Sequence, residues 1–239
     1  MYLMKAYQNY LFDLYGTLVD IHTDEDDLLL WQRLSVLMGT EGVFLTPQRL
    51  KEIYASEIKR READAKNQRG IGAEIDIGPV FASMYAEAGV TADAEKIAHL
   101  AGMFRILSIE KLRLFPGTTE MLDRLRRQGK RIYLLSNAQV LFTLPELRAL
   151  DLLPYFDGIV ISSQEGLKKP DGRLYKLILD RYGLCPKETV MVGNDDRADC
   201  WGAHDAGLDS MYVYTEQSPV KTKPLPPNCR ILDDISQVF

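Results

Sequence analysis

Five short apolar runs constrain this chain more than any other feature. Residues 9–14, 131–136, 158–162, 189–193 and 210–214 are apolar at nearly every position, as in RIYLLS and TVMVG, and rich in β-branched or aromatic side chains. A strand with one face in water alternates apolar and polar residues. A run that is apolar throughout suits a strand buried on both faces of a parallel sheet. Helical spacings fall between the runs, at 117–128, about 139–150, 171–182 and 197–206. Strand and helix in alternation predict a doubly wound, Rossmann-like α/β core.

One connection breaks the alternation. From about residue 22 to residue 112 no strand pattern is visible, and apolar residues recur at i, i+3, i+4 and i+7 instead. Leu50, Ile53, Tyr54 and Ile58 form one such stripe; Val80, Phe81, Met84, Tyr85 and Ala88 a second; Ile97, Leu100, Ala101 and Phe104 a third. Leu28, Leu29, Trp31, Leu34, Leu37 and Met38 suggest a further helix at the start. Thr46 before Pro47, and Thr91 with Glu95 close behind, read as helix starts. The expectation is an α-helical cap domain at 21–112, inserted into a core made of 1–20 and 113–239.

Bulk properties exclude several classes. A net charge of −5 without a basic tract argues against nucleic acid. No apolar run approaches a membrane span, so no membrane partner is expected. The first residues lack the apolar core of a signal peptide, and Cys185, Cys200 and Cys229 lie far apart without CxxC spacing. The expected setting is the cytoplasm, with reduced thiols.

Open parallel sheets bind ligands beyond the carboxyl ends of their strands. Asp13 follows the first run, Ser136 and Asn137 close the second, Lys168 and Lys169 follow the third, and Asp195, Asp196 and Asp199 follow the fourth. Taken singly, an acid in a turn or a Ser-Asn pair reads as a cap. Together they set a carboxylate nucleophile, a hydroxyl, a cation and an acid cluster on one edge.

In that order the segments FDLYGTL, YLLSN, KKPDGRLY and VGNDDRADCWGAHDAG resemble the four motifs of the haloacid dehalogenase-like hydrolase superfamily. The resemblance implies that Asp13 is a nucleophile forming an aspartyl intermediate, that Thr17 positions it, and that Ser136, Asn137 and Lys169 meet the transferring group. It further implies a Mg²⁺ ion held by Asp13, the Tyr15 carbonyl, Asp195 and Asp199. Asn194 stands directly after the glycine, where the commonest fourth motif has its first acid. Asp195 is therefore the expected ligand, with Asp196 as the alternative.

Tyr15 departs from the pattern. Phosphatases of the superfamily usually carry an acid–base Asp there, and 2-haloacid dehalogenases typically carry Tyr. A halide leaves without a proton, whereas an alkoxide benefits from an acid, an effect of ~10²–10⁴-fold. Against this, Asp13, Asp195 and Asp199 would crowd one pocket. Like charges oppose one another's ionisation, and a divalent cation relieves them. The arginine that such dehalogenases place early in the cap has no clear counterpart, since Arg33 in LLWQRLSVL is out of register. The expected activity is a Mg²⁺-dependent phosphatase acting on a small phosphorylated molecule. The alternatives are a metal-independent 2-haloacid dehalogenase and an inactive binding or regulatory relative.

Overall fold

The computed structural model describes residues 7–221 and 223–239; residues 1–6, the start of the expected core segment, lie outside the described residues. In chain order the elements are β1 (Asn9–Phe12), β2 (Val19–Thr23), α1 (Leu28–Thr40), α2 (Pro47–Arg69), α3 (Gly78–Glu87), α4 (Ala94–Ser108) and β3 (Ile109–Leu114). There follow α5 (Thr118–Arg127), β4 (Arg131–Ser136), α6 (Val140–Ala149), β5 (Gly158–Ile161), α7 (Ser162–Glu165), α8 (Gly172–Tyr182), β6 (Thr189–Gly193), α9 (Gly202–Asp205), β7 (Asp209–Val213) and β8 (Cys229–Leu232).

The main sheet is six-stranded and parallel, in the order β5-β4-β1-β6-β7-β8. The chain builds from β1 toward β5, then crosses back to lay β6 on the other side of β1. The strand order thus reverses between β1 and β6, where a crevice opens in such sheets. Phe12 lies level with Leu134 on one side and Val192 on the other. One apolar cluster fills the first face, with Phe12, Leu122, Leu134 and Val192; another fills the second, with Leu11, Leu135, Tyr175 and Met191. Burial on both faces is why these strands read as unbroken apolar runs.

Three sequence expectations need correction. The stretch read as strand-free is bounded by an antiparallel ribbon of β2 and β3, and the expected boundaries at 20/21 and 112/113 fall inside it. Its residues, VDIHT and IEKLRL, are half exposed, so they lack the continuous apolar texture. The fourth helix starts at the cap Asp93, whose side chain accepts from Lys96 N, not at Thr91. The segment 197–206 is a π-helical turn, Asp196–Trp201, followed by the short α9. Thr46 does cap α2, accepting from Arg49 N, with Pro47 in the first turn.

Helices α1–α4 share a cluster of their own. Trp31, Tyr54, Phe81 and Phe104 pack ring against ring, and Phe142 of α6 joins them at 6.2 Å from Phe104. The segment after α2 is tied to the loop after β5 by backbone bonds: Glu74 N donates to Gly166 O at 3.0 Å and Lys168 N to Gly72 O at 2.8 Å. The Gln139 amide brackets the same segment, accepting from Ile77 N and donating to Ile75 O. These links set the helical layer over the carboxyl edge of the sheet.

Candidate active site

The three central strands bring the expected residues to one point. Asp13 follows β1, Ser136 ends β4, and Asp195 and Asp199 follow β6. A cavity of about 290 Å³ opens there, lined by Asp13, Tyr15, Ser136, Asn137, Lys169, Asn194, Asp195 and Asp199 among others.

Lys169 is the hub. Its ammonium is buried and donates to Asp13 Oδ1 at 2.8 Å and to Asp199 Oδ1 at 2.7 Å. Burial alone would lower the lysine pKa, but the two carboxylates outweigh it and hold the group above its ordinary value. For Asp199 the balance falls the other way. Burial dominates the pull of Lys169, and its pKa is pushed up to about 7. The Asn137 amide fixes the lysine's backbone, accepting from Lys169 N at 2.7 Å and donating to Lys169 O at 3.0 Å. Its two polar ends are thus engaged in positioning Lys169.

Hydroxyls flank Asp13. Ser136 Oγ donates to Asp13 Oδ1 at 3.4 Å, and Thr17 Oγ1 lies 3.3 Å from both Asp13 Oδ2 and Asn194 Oδ1. Asp195 borders the cavity while its Oδ1 caps the π-helical turn, accepting from Arg197 N and Ala198 N. Its own N–H donates to Asp199 Oδ2 at 3.0 Å. Asp196 is buried and does not line this cavity. Gly193 allows the approach: a Cβ there would stand 2.1 Å from Asp199 Oδ2. Among the described residues no three acidic, histidine or cysteine side chains converge as a ready metal cage.

Tyr15 has surroundings that the sequence did not reveal. Its hydroxyl donates to Glu146 Oε2 and lies 3.1 Å from Thr143 Oγ1. Glu146, buried on α6, accepts at its other oxygen from Arg105 Nε of α4 at 2.5 Å. The Arg105 guanidinium lies 5.7 Å from the Tyr15 ring centroid. Burial first, and then Glu146, raise the Tyr15 pKa well above the ordinary phenol value. Both partners sit on apolar helix faces: Glu146 beside buried Phe142, Thr143 and Leu147, Arg105 beside Ala101 and Phe104. A charge on such a stripe was the available signal. Arg33 is exposed on α1.

Comparison with known proteins identifies the family and the fold. The family model for haloacid dehalogenase-like hydrolases matches residues 7–207. A glyceraldehyde 3-phosphate phosphatase of Methanothermobacter thermautotrophicus is 34% identical over 130 residues, covering 53% of this chain and 58% of that protein. The chain thus spans little more than half of that relative. A phosphoglycolate phosphatase of Caulobacter vibrioides is 28% identical over 218 residues, covering 88% of this chain and 81% of its own. In fold, the crystal structure of a 2-haloacid dehalogenase from Pseudomonas syringae pv. tomato DC3000 superposes with a TM-score of 0.66 at 20% identity, covering 97% of this chain and 96% of that one. Among the described residues no helix is long and apolar enough to cross a membrane.

Proposed function

This chain belongs to the haloacid dehalogenase-like hydrolase family, and we propose that within it the chain is a Mg²⁺-dependent phosphatase of small phosphomonoesters working through an aspartyl-phosphate on Asp13. The observation that carries this reading is the charge balance around Lys169. Three acids, Asp13, Asp195 and Asp199, line one small cavity with a single buried ammonium among them. That excess repels a carboxylate-bearing haloacid and suits a hard divalent cation beside a phosphoryl group.

The donor chemistry fits Mg²⁺, because every candidate ligand is a hard oxygen: the carboxylates of Asp13, Asp195 and Asp199 and the Tyr15 carbonyl. Lys169 takes one oxygen from each of Asp13 and Asp199, and among the described residues Asp13 Oδ2 keeps only the long contact to Thr17. When bound, the ion supplies positive charge against the phosphoryl oxygens. The chain's own residues do the rest. An Asp13 oxygen attacks phosphorus, the ester P–O bond breaks with its electron pair going to the leaving oxygen, and that oxygen takes a proton from solvent water. Lys169 and Ser136 offset the charge that builds on the transferring group. Water then cleaves the acyl phosphate and frees Asp13. Tyr15 keeps its proton and serves as a hydrogen-bond donor, not a base. Helices α1–α4, carried on the β2–β3 ribbon, serve as the cap that selects the substrate.

Tyr15 also favours a second reading, the metal-independent dehalogenase. Arg105, the cation that the helical layer sets beside Tyr15, is however already neutralised by Glu146. Turnover of 4-nitrophenyl phosphate with and without Mg²⁺, beside halide release from 2-chloropropionate in EDTA, separates the two. Mg²⁺-dependent phosphate release supports the phosphatase; metal-free chloride release without phosphatase activity overturns it.

A further inference from the structure

A second chamber, of about 250 Å³, lies on the other side of Tyr15. It is lined by Tyr15, Glu25, Tyr54, Arg105, Phe142 and Thr143, with Ile77, Ala138 and Gln139. Tyr15 lines this chamber and the cavity of Asp13 alike, so the two adjoin. In-line attack sends the leaving group away from Asp13, and this chamber adjoins the Asp13 cavity at Tyr15 with lining from the helical layer, Glu25, Tyr54 and Arg105. Its volume lies below the ~300 Å³ at which pockets for drug-sized ligands begin, so it suits a compact group.

Its charges are unequal. Arg105 is held by Glu146. Gln139 is spent on Ile75 and Ile77. Glu25 accepts from the Tyr54 hydroxyl at 3.1 Å and forms no ion pair among the described residues. Arg105 is thus neutralised by Glu146, which lies outside the lining, and Glu25 is the chamber's acid without a cationic partner among the described residues, inside aromatic walls from Tyr15, Tyr54 and Phe142. We propose that this chamber is the leaving-group subsite and that Glu25 restricts it to compact uncharged or cationic alcohols, excluding leaving groups that bear a carboxylate or a second phosphate. The proposal rests on the phosphatase reading for its chemistry and on the chamber alone for its selectivity. A larger cavity, of about 510 Å³, adjoins the nucleophile's cavity through Asn137, Lys169, Asp195 and Ala198 and carries Lys168 and Arg197. A leaving group seated there would show the opposite charge preference.

Three phosphate esters of near-equal size test this: 2-hydroxyethyl, 2-aminoethyl and carboxymethyl phosphate. Repulsion across ~6 Å at an effective dielectric of ~40 corresponds to ~10-fold in kcat/KM. Wild type is expected to use the carboxymethyl ester at least ~10-fold less well than the other two. Glu25→Gln should close that gap, and Glu146→Gln, which releases Arg105, should raise the carboxymethyl ester selectively. Calorimetric binding of the same esters to full-length Asp13→Asn protein with Mg²⁺ reads the ranking without turnover. Failure to release phosphate from 4-nitrophenyl phosphate and from all three small esters would refute the phosphatase reading, while the binding ranking would still judge the subsite. Equal or preferred binding of the carboxymethyl ester, or a ranking untouched by Glu25→Gln, overturns the inference.

Discussion

Replacing Lys169 by methionine keeps most of the apolar stem and removes the one cation between two buried carboxylates. Asp13 Oδ1 and Asp199 Oδ1 sit 2.8 and 2.7 Å from the ammonium, and Asp199 is buried. Breaking a buried pair by removing one partner costs about 3–5 kcal/mol, because the remaining charge is left uncompensated. Here the cost depends on pH. The Asp199 pKa already stands at about 7 with the lysine present, and loss of the lysine moves it higher. A carboxylate whose folded pKa exceeds its unfolded value of ~3.9 stabilises the fold fully below that value, and the benefit is lost as pH rises through the folded pKa. The variant should therefore lose about 3–5 kcal/mol near pH 8 and only ~1–2 kcal/mol near pH 5, where a proton replaces the lysine between the acids. Urea unfolding of both proteins in EDTA across that range measures this. A loss that stays constant with pH, or remains below ~1 kcal/mol at pH 8, would refute the reasoning. Turnover in the same variant should fall at least ~10²-fold, as for other donors aimed at developing charge.

Three further outcomes follow from the same geometry. Gly193→Ala should displace the Asp199 carboxylate, whose Oδ2 would stand 2.1 Å from the new Cβ, and so lower activity at least ~10-fold with little change in secondary structure by circular dichroism. Asp199→Ala should abolish the calorimetric response to Mg²⁺ together with activity; equal heats in both proteins would move the metal elsewhere. Tyr15→Asp should bring little gain alone, because the new carboxylate faces Glu146. Combined with Glu146→Gln it should speed breakdown of the intermediate ~10-fold or more, seen as a smaller burst on 4-nitrophenyl phosphate; no effect on the burst would remove acid–base help as the limiting factor.

The core residues were legible because parallel strands advertise themselves twice. Burial on both faces makes the runs apolar, and the polar residues that interrupt each carboxyl end are then conspicuous. Asp13, Ser136, Lys169 and Asp199 are legible that way, and hydrogen bonds link them in a chain, Ser136 to Asp13 to Lys169 to Asp199. Arg105 and Glu146 lie 41 residues apart on two helices, and only packing of the helical layer on α6 brings them together. Strands β2 and β3 were missed because a half-exposed ribbon has no apolar run, and β8, CRIL, because it is a short edge strand. Asn137 shows a different limit. Its position at the strand end was readable, but the engagement of its amide with the Lys169 backbone is a matter of tertiary geometry.

The most direct test of the proposed chemistry is to catch the covalent state. Wild-type protein would be mixed with Mg²⁺ and 4-nitrophenyl phosphate, quenched in acid within the first turnover, and digested for mass spectrometry. The expected result is a phosphoryl adduct on the peptide carrying Asp13, absent in EDTA and absent in Asp13→Asn. Steady turnover with no adduct on that peptide, or an adduct on another residue, would contradict the assignment of Asp13 as the nucleophile.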